Sequence, residues 1–186
     1  MTAIRAARPE DAQAISRIYE PYVLTGTVSF ESEAPDTRAM RDRMTKSKGL
    51  YPWLVATTGE ADGDAVLAYA YAGQFRDRPA YRYIVESSIY VSGAVQGQGI
   101  GKQLYRTLMD TLRRQGFVQA ISVISTPNDY SIALHEATGF NNQGMLREVG
   151  FKQGRWLNVG FWARELNPAT IPPTEPRPFD EIGLVV

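Results

Sequence analysis

The apolar residues of this chain recur with two different periods, and each period predicts a different kind of element. Short stretches with alternate or continuous apolar residues between turn residues are typical of strands. These stretches are "AIRAAR", "YPWLVATT", "AVLAYAYAGQF", "YIVESSIYV", "QAISVIS" and, on either side of "KQGR", the two halves of "GMLREVGFKQGRWLNVGFWARELN". The polar turn "GEADGD" between the second and third stretches predicts a hairpin.

Between these strands, apolar residues three or four positions apart predict four helices. The helices are "RPEDAQAISRIYEPY", which begins at Pro9; residues 37–47, with Asp36 as the cap; residues 101–115, closed by Gly116; and a helix within "PNDYSIALHEATGF" that ends at Gly139. Hairpins and strand-helix-strand units are therefore mixed. This order predicts an α/β fold with one mixed sheet and helices on its faces, and it excludes an alternating doubly wound sheet.

The length and hydrophobic content are those of one ordinary globular domain. The chain has 186 residues, of which 44% are hydrophobic, enough for a single core. We assign residues 1–166 to this domain. Residues 167–186, "NPATIPPTEPRPFDEIGLVV", are rich in proline and lack a periodic pattern, so we predict a tail there.

Charge and cysteine content narrow the classes of function. Twenty basic residues balance twenty acidic ones, so no strong field favours nucleic acid or an anionic membrane. The absence of cysteine excludes disulfides, thiolate metal sites and a cysteine nucleophile. The first residues lack a basic and then apolar leader, and no apolar run reaches about 20 residues. We therefore expect a cytoplasmic protein without a membrane, nucleic-acid or metal partner.

The stretch "VSGAVQGQGIGKQLYRTLMD" places Gly97, Gly99 and Gly101 between a strand and a helix. Glycines at alternate positions permit positive φ and close approach of the backbone, and a helix start offers free N–H groups, so this turn favours a phosphate compound. The spacing fits neither the dinucleotide fingerprint, which needs glycine at Lys102, nor the P-loop, which needs glycine at Gln96. Simple tight packing of the turn is the alternative.

The remaining pattern, Q-x-x-G-x-G from Gln96, resembles the pyrophosphate loop of the GNAT superfamily of N-acetyltransferases, which bind acetyl-CoA. "TPNDYSIALHEATGF" resembles the next strand-helix turn of that superfamily, with Asn128 at the position that holds the pantetheine arm. The resemblance implies a mostly antiparallel sheet of about six to seven strands with about four helices, and acetyl-CoA as co-substrate without a metal. It implies these acetyl-CoA-binding residues: Ile89, Tyr90, Val91, Gln96, Gly97, Gln98, Gly99, Ile100, Gly101, Lys102, Asn128 and Ser131.

Within that superfamily, longer stretches resemble the phosphinothricin N-acetyltransferases and the related methionine sulfoximine acetyltransferases. They are "YPWLVA", "AYAG", "ESSIYV", "PNDYSIALHEATGF" and "GMLREVGFKQGRWLNVGFW", and the resemblance covers nearly all of residues 4–166. It implies transfer of an acetyl group to the amine of a small amino-acid-like substrate, and a homodimer formed through the C-terminal strands.

The expected reaction needs a base, because an amino-acid amine is mostly protonated at neutral pH and only the free amine attacks a thioester. Glu86 is the lone charge in the apolar strand "YIVESSIYV", and the resemblance gives this role to the glutamate here. A carboxylate that faces solvent or pairs with an arginine is the alternative. The resemblance also implies that the N–H groups of Ile89, Tyr90 and Val91 polarise the carbonyl and hold the pantetheine.

His135 is the one histidine of the chain and lies seven residues after Asn128. Many GNAT enzymes have a tyrosine there for protonating the leaving thiolate, and this chain resembles the phosphinothricin-type enzymes in having histidine. Imidazole suits proton exchange near neutrality because its reference pKa is about 6.5. An ordinary packing or capping contact is the alternative, since a CoA thiolate can leave without much help.

The stretch "GQFRDRPAYRY" places Arg76 and Arg78 just before the Glu86 strand. A guanidinium matches carboxylate, phosphinate or sulfone oxygens, so these arginines are candidates for binding the polar end of a substrate; solvated loop arginines are the alternative. Four aromatic residues are candidates for pocket walls, or else for core: Tyr71, Phe75, Tyr81 and Tyr83. The full predicted substrate set is Phe75, Arg76, Arg78, Tyr81, Glu86, Ser87 and Ser88.

Two other classes of protein remain as alternatives. A single histidine and the absence of G-x-S-x-G argue against a triad hydrolase. A non-catalytic acyl-CoA-binding module would keep the glycine turn without needing Glu86. A protein N-terminal acetyltransferase would need an open groove for a peptide.

Overall fold

The computed structural model describes residues 2–46 and 49–185 of the chain. All seven predicted strands are present. They are Ala3–Ala6 (β1), Trp53–Thr57 (β2), Val66–Gln74 (β3), Ile84–Val91 (β4), Gln119–Thr126 (β5), Asn141–Lys152 (β6) and Arg155–Glu165 (β7). The predicted hairpin is confirmed, since β2 and β3 pair antiparallel.

The four predicted helices are also present, together with a short one near the C-terminus. They are Ala12–Leu24 (α1), Thr37–Lys46 (α2), Ile100–Gln115 (α3), Asp129–Glu136 (α4) and Phe179–Ile182 (α5). Asp36 caps α2 as predicted, because its Oδ1 accepts from the Ala39 N–H at 2.7 Å. Gly116 ends α3 in the left-handed conformation, with φ 95°. The predicted end of α2 at Ser47 lies outside the described residues.

The strands form one sheet in the order β1-β2-β3-β4-β5-β7-β6. Every neighbouring pair is antiparallel except β4 and β5, which are parallel. α3 supplies the crossover that a parallel pair requires. The prediction of an α/β fold with a mixed, mostly antiparallel sheet is therefore confirmed.

Helices cover both faces of the sheet. On one face, Ile15 of α1 and Met40 of α2 pack with Val55 and Tyr69 of the sheet. On the opposite face, the apolar stripe of α3 packs on the central strands. Alternate residues of β4 therefore enter different environments, one shared with α1 and one shared with α3. Among the described helices, none is long and apolar enough to cross a membrane.

The segment after residue 166 is predicted as a tail. It contains α5, and its C-terminal part packs against the rest of the chain. Gln115 of α3 holds it, since its Nε2 donates to the Arg177 carbonyl oxygen at 2.8 Å. Phe179 and Leu184 pack on the main core. The prolines of this segment break the periodic pattern from which helices and strands are predicted. The contacts that hold the segment are made by single side chains, so no local pattern indicates them. The limit of the domain at residue 166 stays a prediction.

Candidate active site

The strands β4 and β5 separate in the middle of the sheet. They pair only over residues 84–86 and 119–121, although β4 continues to Val91 and β5 to Thr126. β4 stays paired with β3 as far as Val91, so a gap opens between the two halves of the sheet. Strand backbone without a neighbour offers N–H and C=O groups to a bound molecule. The gap is therefore a candidate binding site.

The backbone groups of β4 that face this gap follow from the alternation of a strand. The Ser87 carbonyl oxygen points toward β5, since it accepts from the Ser122 hydroxyl at 3.1 Å. The backbone groups of Ile89 and Val91, at steps of two, therefore face the gap as well. Those of Tyr90 face β3. The three residues predicted to hold the thioester together are thus divided between two directions.

Tyr22 of α1 forms hydrogen bonds with the backbone of one of these residues, Val91. Its hydroxyl donates to the Val91 carbonyl oxygen at 2.5 Å and accepts from the Val91 N–H at 3.3 Å. The Gln96 side chain donates to the same hydroxyl at 3.0 Å. Ile89 is therefore the residue whose backbone is best placed to receive a ligand group in the gap.

The three glycines of the turn after β4 have two different tasks. Gly97 and Gly99 have φ of 78° and 81°, a conformation that other residues adopt only with strain. A Cβ at either position would meet no heavy atom within 4 Å, so the space beside their backbone is open. A Cβ on Gly101 would lie 3.1 Å from Val91 Cγ2, so Gly101 allows close packing of α3 on β4. The phosphate-binding and tight-packing explanations each describe part of the turn.

A cleft of about 440 Å³ joins the gap, the glycine turn and the start of α4. Ten predicted acetyl-CoA residues line it: Ile89, Val91, Gln96, Gly97, Gly99, Ile100, Gly101, Lys102, Asn128 and Ser131. Five further lining residues were not predicted: Tyr22, Val28, Val95, Tyr130 and Leu134. Tyr90 and Gln98 are not part of this lining. The Tyr90 ring instead packs against the rings of Tyr19, Tyr22 and Tyr69.

Asn128 lies where β5 passes into α4. Its Oδ1 accepts from the Ser131 N–H at 3.3 Å and so caps the helix. Because the cap uses the side-chain oxygen, the amide nitrogen can serve as a donor toward the cleft. Tyr130 is 92% exposed at the same helix start, and no periodic pattern indicates a function for it.

A second cleft of about 330 Å³ continues from the glycine turn along the exposed side of α3. Lys102, Gln103 and Arg106 line it. Two cations beside a helix start favour phosphate groups. Arg106 was not predicted, although its position one turn after Lys102 on α3 is a recognisable helical spacing.

Glu86 lies at the point where the gap begins, as the last residue of β4 that pairs with β5. Burial raises the pKa of its carboxyl group, and the positive charge of Arg76 lowers it to a smaller extent. Its partner on β3 is Gly73, where a Cβ would meet no heavy atom within 4 Å. A carboxylate with a raised pKa and open space beside it is suited to accept a proton.

Three of the predicted substrate residues form a cluster on the loop before β4. The Arg76 guanidinium lies over the Phe75 ring, 5.0 Å from its centre, and Phe75 packs edge-on against Tyr81 at 5.7 Å. Arg76 is also the cation that acts on Glu86. Arg76 and Arg78 are both exposed on this loop, and the effect of the Arg76 charge on Glu86 makes Arg76 the better candidate of the two.

The two predicted serines lie on opposite faces of β4. Ser88 lies on the face of the predicted base, and its partner on β3 is Tyr71. The Ser87 side chain is buried on the other face, with its Oγ 2.8 Å from the Tyr105 hydroxyl. The structure therefore does not bring the Ser87 side chain to the predicted base. Strand alternation alone could have separated the two residues.

His135 is 3% exposed and makes hydrogen bonds through both ring nitrogens. Its Nδ1 lies 2.7 Å from the Ser131 carbonyl oxygen, which can only accept, so this nitrogen carries the proton. The Tyr105 hydroxyl then donates to Nε2 at 3.0 Å. Burial lowers the pKa of His135, opposed by the hydrogen bond to Ser131. This arrangement favours a neutral ring with a packing role, and the predicted role as an acid stays a prediction.

In the described part of the chain, no group of three or more His, Asp or Glu side chains is arranged to hold a metal ion.

The fold and the cleft have clear counterparts among known proteins. Residues 4–159 match the family described as the acetyltransferase (GNAT) domain. The phosphinothricin N-acetyltransferase of Streptomyces viridochromogenes is 41% identical over 180 residues, 96% of this chain and 95% of that protein. The L-methionine sulfoximine/L-methionine sulfone acetyltransferase of Pseudomonas aeruginosa is 36% identical over 173 residues, 92% of this chain and 98% of that protein.

A solved structure agrees with these relatives. The crystal structure of a GNAT superfamily phosphinothricin acetyltransferase from Sinorhizobium meliloti in complex with AcCoA has a TM-score of 0.86 and 41% identity, and the match covers 94% of this chain and 92% of that one. This chain therefore belongs to the GNAT family of acetyltransferases. The predicted likeness to the phosphinothricin and methionine sulfoximine enzymes is confirmed.

Proposed function

We propose that the protein transfers the acetyl group of acetyl-CoA to the amino group of a small amino-acid-like substrate of the phosphinothricin, methionine sulfoximine or methionine sulfone type. The observation that carries this proposal is the position of Glu86, whose carboxyl group has a raised pKa where β4 and β5 separate. A module that only bound acyl-CoA would have no need of a partly buried carboxylate there, because burial of an unpaired charge is unfavourable.

The cleft fits acetyl-CoA by the chemistry of its lining. The open backbone of Gly97 and Gly99 and the start of α3 would hold the pyrophosphate, and Lys102 and Arg106 would attract the remaining phosphate. The Asn128 amide and the backbone of Ile89 would bind the pantetheine as an added strand does. The AcCoA complex of the Sinorhizobium meliloti relative supports this assignment.

Glu86 would remove the proton that keeps the substrate amine from reacting, directly or through water. The free amine then attacks the thioester carbonyl carbon and the C–N bond forms; the C–S bond breaks with its electron pair leaving on sulfur, and the nitrogen gives up its extra proton to the thiolate or to water. The Ile89 N–H, which faces the gap, would stabilise the negative charge that develops on the carbonyl oxygen. His135 would at most supply a proton to the leaving thiolate through its hydrogen-bonded neighbours.

Arg76 would determine the class of substrate. Its positive charge acts on Glu86, so it could bind an acidic or strongly polar group while the amine is held near the base. The names of the Streptomyces viridochromogenes and Pseudomonas aeruginosa relatives support a phosphinate, sulfoximine or sulfone as that group.

The test is a turnover assay with acetyl-CoA that follows release of the free CoA thiol. The panel contains common amino acids, their phosphinate, sulfoximine and sulfone analogues, and short peptides with free N-termini. We expect the highest kcat/KM among the analogues. Preference for the peptides would instead favour a protein N-terminal acetyltransferase, and acetyl-CoA binding without turnover of any amine would favour a non-catalytic module.

We also propose a homodimer that forms through the C-terminal strands. β6 is an edge strand, and its apolar side chains are about half exposed or more: Met145, Leu146, Val149 and Phe151. An apolar edge strand is a site of association unless something covers it. Sedimentation of the wild type at the mass of two chains, and of Val149→Lys at the mass of one, would support this arrangement; a monomeric wild type would contradict it.

A further inference from the structure

The turn between β6 and β7 meets the loop between α1 and α2, residues 25–36, beside the candidate active site. Val28 of this loop lines both the large cleft and the small cavity between β4 and β5. Val28 supplies an apolar wall of the gap from outside the sheet. The position of Val28 therefore depends on what holds the loop.

Lys152, at the end of β6, holds this loop through three backbone carbonyl oxygens. Its half-buried ammonium donates to the carbonyl oxygens of Val23 at 2.6 Å, Ser29 at 2.6 Å and Glu31 at 2.8 Å. An ammonium has three N–H donors, and this set of acceptors uses all three. Val23 belongs to the last turn of α1, whose carbonyl end favours a cation.

Other contacts hold the loop on either side of Val28. Ser125 of β5 donates to the Thr27 carbonyl oxygen at 2.6 Å, and Lys152 holds the Ser29 carbonyl oxygen. Both peptide neighbours of Val28 are therefore fixed. The Phe30 ring also lies where a side chain on Gly150 would be, so β6 receives the loop closely.

We propose that Lys152 is a positioning residue for acetyl transfer. It holds the α1–α2 loop so that Val28 narrows the gap at its open side and limits access of water to the reacting groups. Lys152 itself faces backbone carbonyls and does not reach the reacting atoms; it acts through Val28. This inference rests on the proposed function for the identity of the reaction, whereas the holding of the loop rests on the contacts alone.

The experiment compares Lys152→Met with Lys46→Met in the full chain. Methionine keeps the apolar stem and removes the ammonium, and Lys46 is an exposed lysine at the end of α2 that provides the same chemical change as a control. We expect Lys152→Met to speed hydrogen exchange of the amides of residues 25–31 by about tenfold or more. We expect kcat to fall about tenfold through loss of orientation, and the KM for acetyl-CoA to stay within about threefold.

The outcomes separate this inference from the proposed function. Exchange rates and kcat equal to those of Lys46→Met would overturn it, and so would faster exchange with unchanged kcat. If Lys152→Met does not fold, Lys152→Gln provides the same comparison, since an amide is uncharged and has two N–H donors for these three carbonyls; wild-type exchange and kcat in that variant overturn the inference. A wild type that acetylates no amine overturns the proposed function and the positioning role, while the exchange rates still decide whether Lys152 holds the loop.

Discussion

The two sides of β5 are built differently, although the same residues supply both. On the β7 side, pairing continues over eight residue pairs, from Gln119 with Glu165 to Thr126 with Asn158. On the β4 side, pairing ends after three pairs, at Glu86 with Ile121. Both strands continue beyond that point, so the separation is not the fraying of a strand end.

The closed side gives stability, and the open side gives a binding site. Ladder hydrogen bonds satisfy the backbone on the closed side, whereas the open side leaves the backbone of Ile89 facing a gap. The candidate binding and catalytic residues lie on the open side, with Glu86 at its start and Asn128 and the glycine turn at its far end. Substitutions on the two sides should therefore have different effects.

The largest effect is expected for Glu86→Gln at the start of the gap. Glutamine keeps the shape and removes the base, so kcat/KM should fall by about 10²- to 10⁴-fold near neutral pH. Steady-state kinetics with the preferred amine provides the measurement, and circular dichroism checks the fold. A variant within about twofold of the wild type would assign proton removal to water alone.

The pH dependence of the same pair of proteins sharpens the assignment. Burial raises the pKa of Glu86, so the active carboxylate is present above that raised pKa and is lost as the pH falls through it. At high pH the amine is already neutral and the base is not needed. The ratio of wild-type to Glu86→Gln kcat/KM should therefore pass through a maximum, and a ratio independent of pH would contradict general base catalysis.

At the far end of the gap, Gly99→Val should act on the cofactor. Gly99 has φ 81° beside open space, so valine adds backbone strain of about 1–3 kcal/mol and blocks approach of the phosphates. Because the side chain keeps the charged phosphates from backbone hydrogen bonds of about 1.5–3 kcal/mol, the KM for acetyl-CoA should rise by roughly 10- to 150-fold, with little change in the KM for the amine. Unchanged acetyl-CoA affinity in a folded Gly99→Val protein would contradict the phosphate role of the turn.

Beside the gap, Arg76→Ala should act on one class of substrate. A charged hydrogen bond contributes about 1.5–3 kcal/mol, so kcat/KM for a phosphinate or sulfone amino acid should fall by roughly 10- to 150-fold. An uncharged amine of similar size should be almost unaffected, and Arg76→Lys should recover only part of the loss. Arg78→Ala is the matched control on the same loop, and an equal loss for both substrates in Arg76→Ala would exclude a substrate clamp.

The smallest effect on activity is expected on the closed side, for Leu166→Ala. Leu166 follows β7, is 7% exposed and donates its N–H to the Val118 carbonyl oxygen at 2.9 Å. Loss of its buried side chain should lower the free energy of unfolding by about 2–5 kcal/mol, measured by urea denaturation. The kcat/KM of the folded variant should stay within about twofold because distant sites contribute independently; a tenfold loss would show that the two sides are coupled.

The sequence by itself determined the helices and strands. It also determined the glycine turn at which the gap ends. Strand and helix periodicity is a local property, and so are the cap at Asp36, the end of α3 at Gly116 and the positive φ of Gly97 and Gly99. The position of Glu86 on an otherwise apolar strand was equally visible, because a lone charge interrupts a local pattern. The family resemblance then supplied roles for these residues that periodicity cannot give.

The tertiary structure alone decided which residues surround the gap and what orients them. Tyr22 of α1 and Val28 of the α1–α2 loop line the cleft from the N-terminal part of the chain, Tyr22 being 69 residues before Val91. Lys152 holds the α1–α2 loop across more than a hundred residues of chain. Only the three-dimensional course of β4 and β5 makes Ile89 face the gap while Tyr90 faces β3. Such contacts join positions far apart in the chain, so a single sequence carries no local pattern from which they could be predicted. The physical reason is that the hydrogen bonds and packing that select them form only when the sheet and helices are assembled.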